Sequence, residues 1–270
     1  QYHIQLIENS ASDKHLRDLC ANCHLGAQKE EFGPITQLSR GGGCNACHLN
    51  YSEEAKVDLA TYISSEKKEV PQHHPATNIF VKDEHCFGCH SRSSRISTNY
   101  QGFQETLLDE SDVLNNSAYK VIEDKRVYKF IEEDVHHTKG MLCIDCHSSH
   151  EVMGDGKRYT HEEQAVKVQC SDCHFKEKPN TIPYDSLDAE SLLVFLHRDY
   201  KHYDKEVIAV EKSGHPLVNT FIDSVGNAFL IGKKDGKLHP LNPQPEICSR
   251  DNAHKNVSCA TCHSSWTTRC

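Results

Sequence analysis

Twelve of the fourteen cysteines in this 270-residue chain fall in one pattern, Cys-x-x-Cys-His, repeated six times. The copies are Cys20, Cys23 and His24; Cys44, Cys47 and His48; Cys86, Cys89 and His90; Cys143, Cys146 and His147; Cys170, Cys173 and His174; and Cys259, Cys262 and His263. At this content of Cys and His, chance would supply about 0.05 such motifs, so the repetition has a chemical cause. Three chemistries use Cys-x-x-Cys. A zinc site needs four converging ligands and gains nothing from a His directly after the second Cys. A thioredoxin-like redox pair needs one copy on a βαβ scaffold. Covalent haem attachment needs this spacing: positions i, i+3 and i+4 share one face of a helical turn, so two thiols reach the two vinyl groups of one haem while the imidazole reaches its iron. The motifs are read as six haem c sites.

The words around the motifs extend the likeness. Arg40-Gly-Gly-Gly-Cys44, His90-Ser-Arg-Ser-Ser-Arg-Ile96, the run CIDCHSSHEVMGDG from Cys143 to Gly156 and CATCHSSW from Cys259 to Trp266 resemble segments of the large multihaem c-type cytochromes of bacteria and archaea. That resemblance implies an extracytoplasmic location (periplasm, cell surface or exterior) and electron transfer. It implies a fold of short α-helices and irregular loops wrapped round a haem core, here with one small β-hairpin.

With His24, His48, His90, His147, His174 and His263 as proximal iron ligands, fourteen of the twenty histidines remain. There are only two methionines, Met141 and Met153, so bis-His ligation and low potentials are expected. Position selects His15, His136, His137, His161 and His254 as distal ligands, because each stands five to nine residues before a motif. His74 joins them on the likeness of His74-Pro-Ala to the family pattern. His85 is left open, and His3, His150, His197, His202, His215 and His239 are read as solvated or hydrogen-bonded, His3 with the further option of ligating a haem in a neighbouring subunit. Cys248 and Cys270 stand outside the motifs. They form either a disulfide or, for Cys270, the start of a seventh motif cut by the end of the sequence.

The elements that must carry these residues follow from spacing. Residues 1–180 hold five motifs, 181–245 form a haem-poor helix and hairpin packing on the haem core, and 246–270 hold the sixth motif. Within the middle segment, Ser186–Tyr200 reads as a helix with a stripe at Leu187, Leu192, Leu193 and Leu196, and Asn227–Leu241 reads as a hairpin turning at Asp235-Gly236. The formal net charge of −9 excludes a basic nucleic-acid footprint. Mean hydropathy is −0.65, and no apolar run approaches the roughly 20 residues of a membrane helix. The chain opens on Gln1-Tyr2-His3, which reads as a mature or excised polypeptide. The expected function is one-electron hopping along six haems, with other redox proteins or further copies in a filament as partners. The alternative is a reductase or oxidase of a small nitrogen or sulfur compound with one open haem site.

Overall fold

The computed structural model describes Ser10 and residues 44–66, 68–73, 75–90, 99–121, 125–157, 159–249, 257–264 and 267. Two compact units make up the chain, one of Gln1–Asn99 with Phe103–Ile131, the other of Tyr100–Gly102 with Glu132–Cys270. This division runs through the 1–180 segment and separates the second and third motifs from the fourth to sixth.

In the first unit, α1 (Cys44–His48) runs into β1 (Leu49–Asn50), which pairs antiparallel with β2 (Ala76–Thr77). Between them lies α2 (Glu53–Ser64), opened by Ser52, whose hydroxyl accepts the Ala55 N–H at 3.2 Å. Its buried side chains, Ala55 and Leu59, are four apart and so share one face. α3 (Asp83–His90) carries the third motif. A second sheet has the order β3 (Phe103–Glu105), β5 (Val127–Phe130), β4 (Tyr119–Val121).

The second unit strings short helices, α4 (Val135–Thr138), α5 (Cys143–Cys146), α6 (Ser149–Val152), α7 (Glu162–Ala165) and α8 (Cys170–Cys173), ahead of a five-stranded antiparallel sheet. Its strands β6 (Thr181–Pro183), β7 (Glu206–Ala209), β8 (Pro216–Ile222), β9 (Ala228–Ile231) and β10 (Leu238–Pro240) are neighbours in chain order, with α9 (Ala189–His197) between β6 and β7. Both faces are covered. Ile208, Val210, Leu217 and Ala228 pack with Val168, Cys173 and Phe175 around α8, whereas Val218 and Ile231 pack with Phe195 and Val194 of α9. Burial from both sides makes the central strand β8 almost continuously buried, where a one-sided strand would alternate. A β-bulge between Glu206 and Ile208 is satisfied by Thr220, whose hydroxyl accepts the Ile208 N–H at 2.9 Å and donates to the Leu217 carbonyl at 2.7 Å. α10 (Cys259–His263) holds the last motif.

The fold expectation is therefore corrected. The described residues form a mixed α/β structure with three antiparallel sheets, not helices and irregular loops wrapped round a haem core, and the second unit's core is built from protein side chains. The physical reason is that the apolar residues are concentrated in strands such as Val207-Ile208-Ala209 and Leu217-Val218, enough to close a core without a porphyrin. The hairpin is present as β9–β10, with Leu238 opposite Ile231, but it is one edge of the larger sheet. The helix is present as Ala189–His197, capped by Asp188, which accepts the Ser191 N–H at 3.0 Å. Among the described residues no helix is long and apolar enough to cross a membrane.

Candidate functional site

Each described motif occupies a single helical turn: Cys44–His48, the end of Asp83–His90, Cys143–Cys146, Cys170–Cys173 and Cys259–His263. The motif of Cys20, Cys23 and His24 lies outside the described residues, as do the side chain of Cys89 and the proposed distal ligands His15, His74 and His254. Cys270 is also outside them, so its pairing with the exposed Cys248 is not described. Among the described residues no two cysteines form a disulfide. Burial, helped by the nearby Asp172 and Cys170, pushes the Cys173 thiol up to about 12. It is a thiol at physiological pH. Among the described residues no three His, Cys, Asp or Glu side chains converge as a metal-ion site.

Three of the motif histidines bond an acceptor through Nδ1. His48 Nδ1 donates to the Asn78 carbonyl at 2.9 Å, His174 Nδ1 to the Asn242 carbonyl at 2.9 Å, and His147 Nδ1 to the Glu151 carboxylate. Since these oxygens accept, each ring carries a proton on Nδ1. That is how iron-ligating imidazoles are held. The adjacent pair on α4 follows the same rule. His136 Nδ1 lies 2.9 Å from Asp134 Oδ1, and His137 Nδ1 lies 3.0 Å from Glu133 Oε2. Asp134 is buried and also caps α4 through the His136 N–H at 2.7 Å. Tyr100 braces this turn: its carbonyl accepts the Asp134 N–H at 3.2 Å, its hydroxyl donates to the Met141 carbonyl at 2.7 Å, and its ring meets His137 edge-on at 5.2 Å. Gly102, at φ 82°, lies so close that a Cβ would stand 2.9 Å from the Glu133 nitrogen.

Two of these imidazoles are brought together. The ring centroids of His136 and His174 are 6.1 Å apart, with the planes inclined by 52°. Two imidazoles bound on opposite sides of one iron, each through a metal–nitrogen bond of about 2.0 Å, place their centroids about 6 Å apart. The separation of His136 and His174 matches that spacing. His161 is exposed and has no such neighbour among the described residues.

Sequence reasoning missed the residues that hold the motifs in place. In the fourth and fifth motifs an Asp precedes the second Cys, and each is buried. Asp145 accepts the Leu142 N–H with Oδ2 and the Lys233 N–H with Oδ1, both at 2.7 Å. Asp172 accepts the Gln169 N–H with Oδ2 at 2.7 Å and the Glu211 N–H with Oδ1 at 2.9 Å. One oxygen caps the motif helix and the other grips a turn of the five-stranded sheet, β9–β10 for Asp145 and β7–β8 for Asp172. Asn219 adds a bond to the Asp145 carbonyl at 3.1 Å, and the Lys233 ammonium donates to the Ile144 carbonyl. Burial raises the Asp145 pKa against the opposing pull of these amides and of Lys233, and burial lowers Lys233 to about 8. The repeated Asp in CIDCH and CSDCH was the available signal, as were the acidic residues before His136 in Glu132-Glu133-Asp134.

Other spare histidines are structural. His85, left open above, is buried, with Nδ1 accepting the Lys82 N–H at 3.0 Å and Nε2 donating to the Leu49 carbonyl at 3.1 Å. His202 is buried against Phe195 and bonds the Val218 carbonyl at 3.1 Å. His150 stacks on His215 at 4.2 Å and bonds Asp188 and Ser191. Comparison with protein-family models, curated proteins and solved structures gave no match to this chain.

Proposed function

We propose that the chain is an extracytoplasmic electron-transfer protein carrying six covalently attached c-type haems, one on each Cys-x-x-Cys-His motif. The observation that carries this reading is the sixfold repetition of the motif. It is supported by the imidazoles of His48, His147 and His174, each with Nδ1 bonded to an acceptor. When bound, the haem irons supply reversible one-electron chemistry, with electrons passing between them by hopping. The protein's part is attachment and orientation. Paired cysteines anchor each porphyrin, and Asp145 and Asp172 fix two attachment turns to one sheet. His174 and His136 serve as the axial pair of the fifth motif. Other redox proteins or further copies of the chain are the proposed partners, and the acidic balance of −9 suits basic ones.

The test is the alkaline pyridine spectrum of the reduced protein as isolated. Bands of a haem with both vinyl groups saturated are expected, at six per chain. A spectrum without haem, or haem that extracts into acidic organic solvent, overturns the reading.

A further inference from the structure

The acceptors behind the three motif imidazoles differ in charge. His48 and His174 donate to neutral carbonyls, of Asn78 and Asn242, whereas His147 donates to a carboxylate, Glu151 Oε1. Glu151 stands four residues beyond His147 on α6. Its side chain is 9 % exposed. Its other oxygen, Oε2, accepts the N–H groups of Lys167 and Val168, both at 3.0 Å, in the segment that leads into α8. Oε1 thus faces the His147 Nδ1 and Oε2 faces two backbone N–H donors, so both oxygens are placed as acceptors.

Resting on the haem reading above, we infer that Glu151 is a positioning residue that holds the His147 proton on Nδ1, strengthens Nε2 as an iron donor and so lowers the reduction potential of the haem on the fourth motif. A carboxylate at the far nitrogen of a ligating imidazole draws the ring toward imidazolate and raises its basicity. A more basic axial ligand favours the oxidised iron. The same carboxylate ties the fourth motif's ligand to the approach of the fifth, because its second oxygen is committed to the Lys167 and Val168 amides. Gln cannot take over both duties. One end of its amide accepts, and the other presents N–H groups either to His147 or to two backbone donors.

The experiment is redox titration of the fully loaded Glu151→Gln protein beside the parent, with haem counted on each motif peptide by mass. We expect all haems in place and one component of the titration moved upward, by about tenfold in its equilibrium constant, or about 59 mV for a one-electron couple. The other components stay where they are. Haem on every motif with no component moved, or with all of them moved together, overturns the inference and leaves the haem reading standing. A fourth-motif peptide without haem in the parent overturns both. Should the variant not accumulate, the oxidised parent decides: the hyperfine-shifted ring protons of His147 should lie to the imidazolate side of those of His48 and His174, and equal shifts overturn the inference.

Discussion

Asp172 Oδ1 accepts the backbone N–H of Glu211 at 2.9 Å across 39 residues of chain. With Oδ2 committed to the Gln169 N–H, this carboxylate has an N–H donor on each oxygen. Asp172→Asn must turn an NH2 group toward one of them, leaving two donors face to face in a buried site. The expected loss is about 1–3 kcal/mol of stability, read as a lowered Tm. An unchanged Tm would show that the fifth motif does not depend on this grip.

The centroid separation of His136 and His174 makes a spectroscopic prediction. His136→Ala opens one axial position, so the reduced variant should bind carbon monoxide at one haem, with a high-spin signal in the oxidised protein, while the parent binds none. Ready binding by the parent would favour an enzyme with an open site.

Lys233 gives a pH dependence. Burial, opposed by Asp145, lowers its pKa from 10.5 to about 8. Between those values the unfolded chain holds more protons than the folded one, so stability rises with pH across the window and is lost as pH falls through about 8. The linkage is worth no more than about 3 kcal/mol. Chemical denaturation of the parent from pH 8 to 10.5 should show this rise, and Lys233→Met should remove it.

His202 acts at lower pH. Burial outweighs its bond to Val218 and lowers its pKa below 6.5, so it is neutral in the folded protein. Stability should fall as pH drops below about 6.5, where the unfolded imidazole gains a proton the folded one resists. His202→Phe should lose about 1 kcal/mol at neutral pH with the Val218 bond and have a shallower acid slope than the parent.

The residues suited to haem attachment were legible because thioether chemistry fixes its spacing within five residues. The β9–β10 hairpin was legible because the Asp235-Gly236 turn is a local signal, whereas the helix at Ala189–His197 buries Ser191 and Phe195 and leaves Leu193 and Leu196 of the expected stripe exposed. The remaining sheet was not legible. Val207–Val210 and Leu217–Ile222 carry the β-branched run of doubly buried strands, but the likeness of the motif segments to multihaem cytochromes implied a haem core instead. His136 was placed among the distal ligands by its distance from Cys143. Its neighbour His174 belongs to a motif 34 residues further along the sequence, and only folding brings those rings together. Asp145 and Asp172 escaped notice for the same reason, since their partners on sheet turns lie 88 and 39 residues away.

The central claim is that the six Cys-x-x-Cys-His motifs hold covalent haem. Mass spectrometry of the proteolytic peptides that span each motif in the native protein tests it directly. Six peptides, each heavier by one haem and unreactive to thiol alkylation, are the predicted result. Six peptides at their bare mass with alkylatable thiols, or a chelatable metal in place of haem, would contradict it.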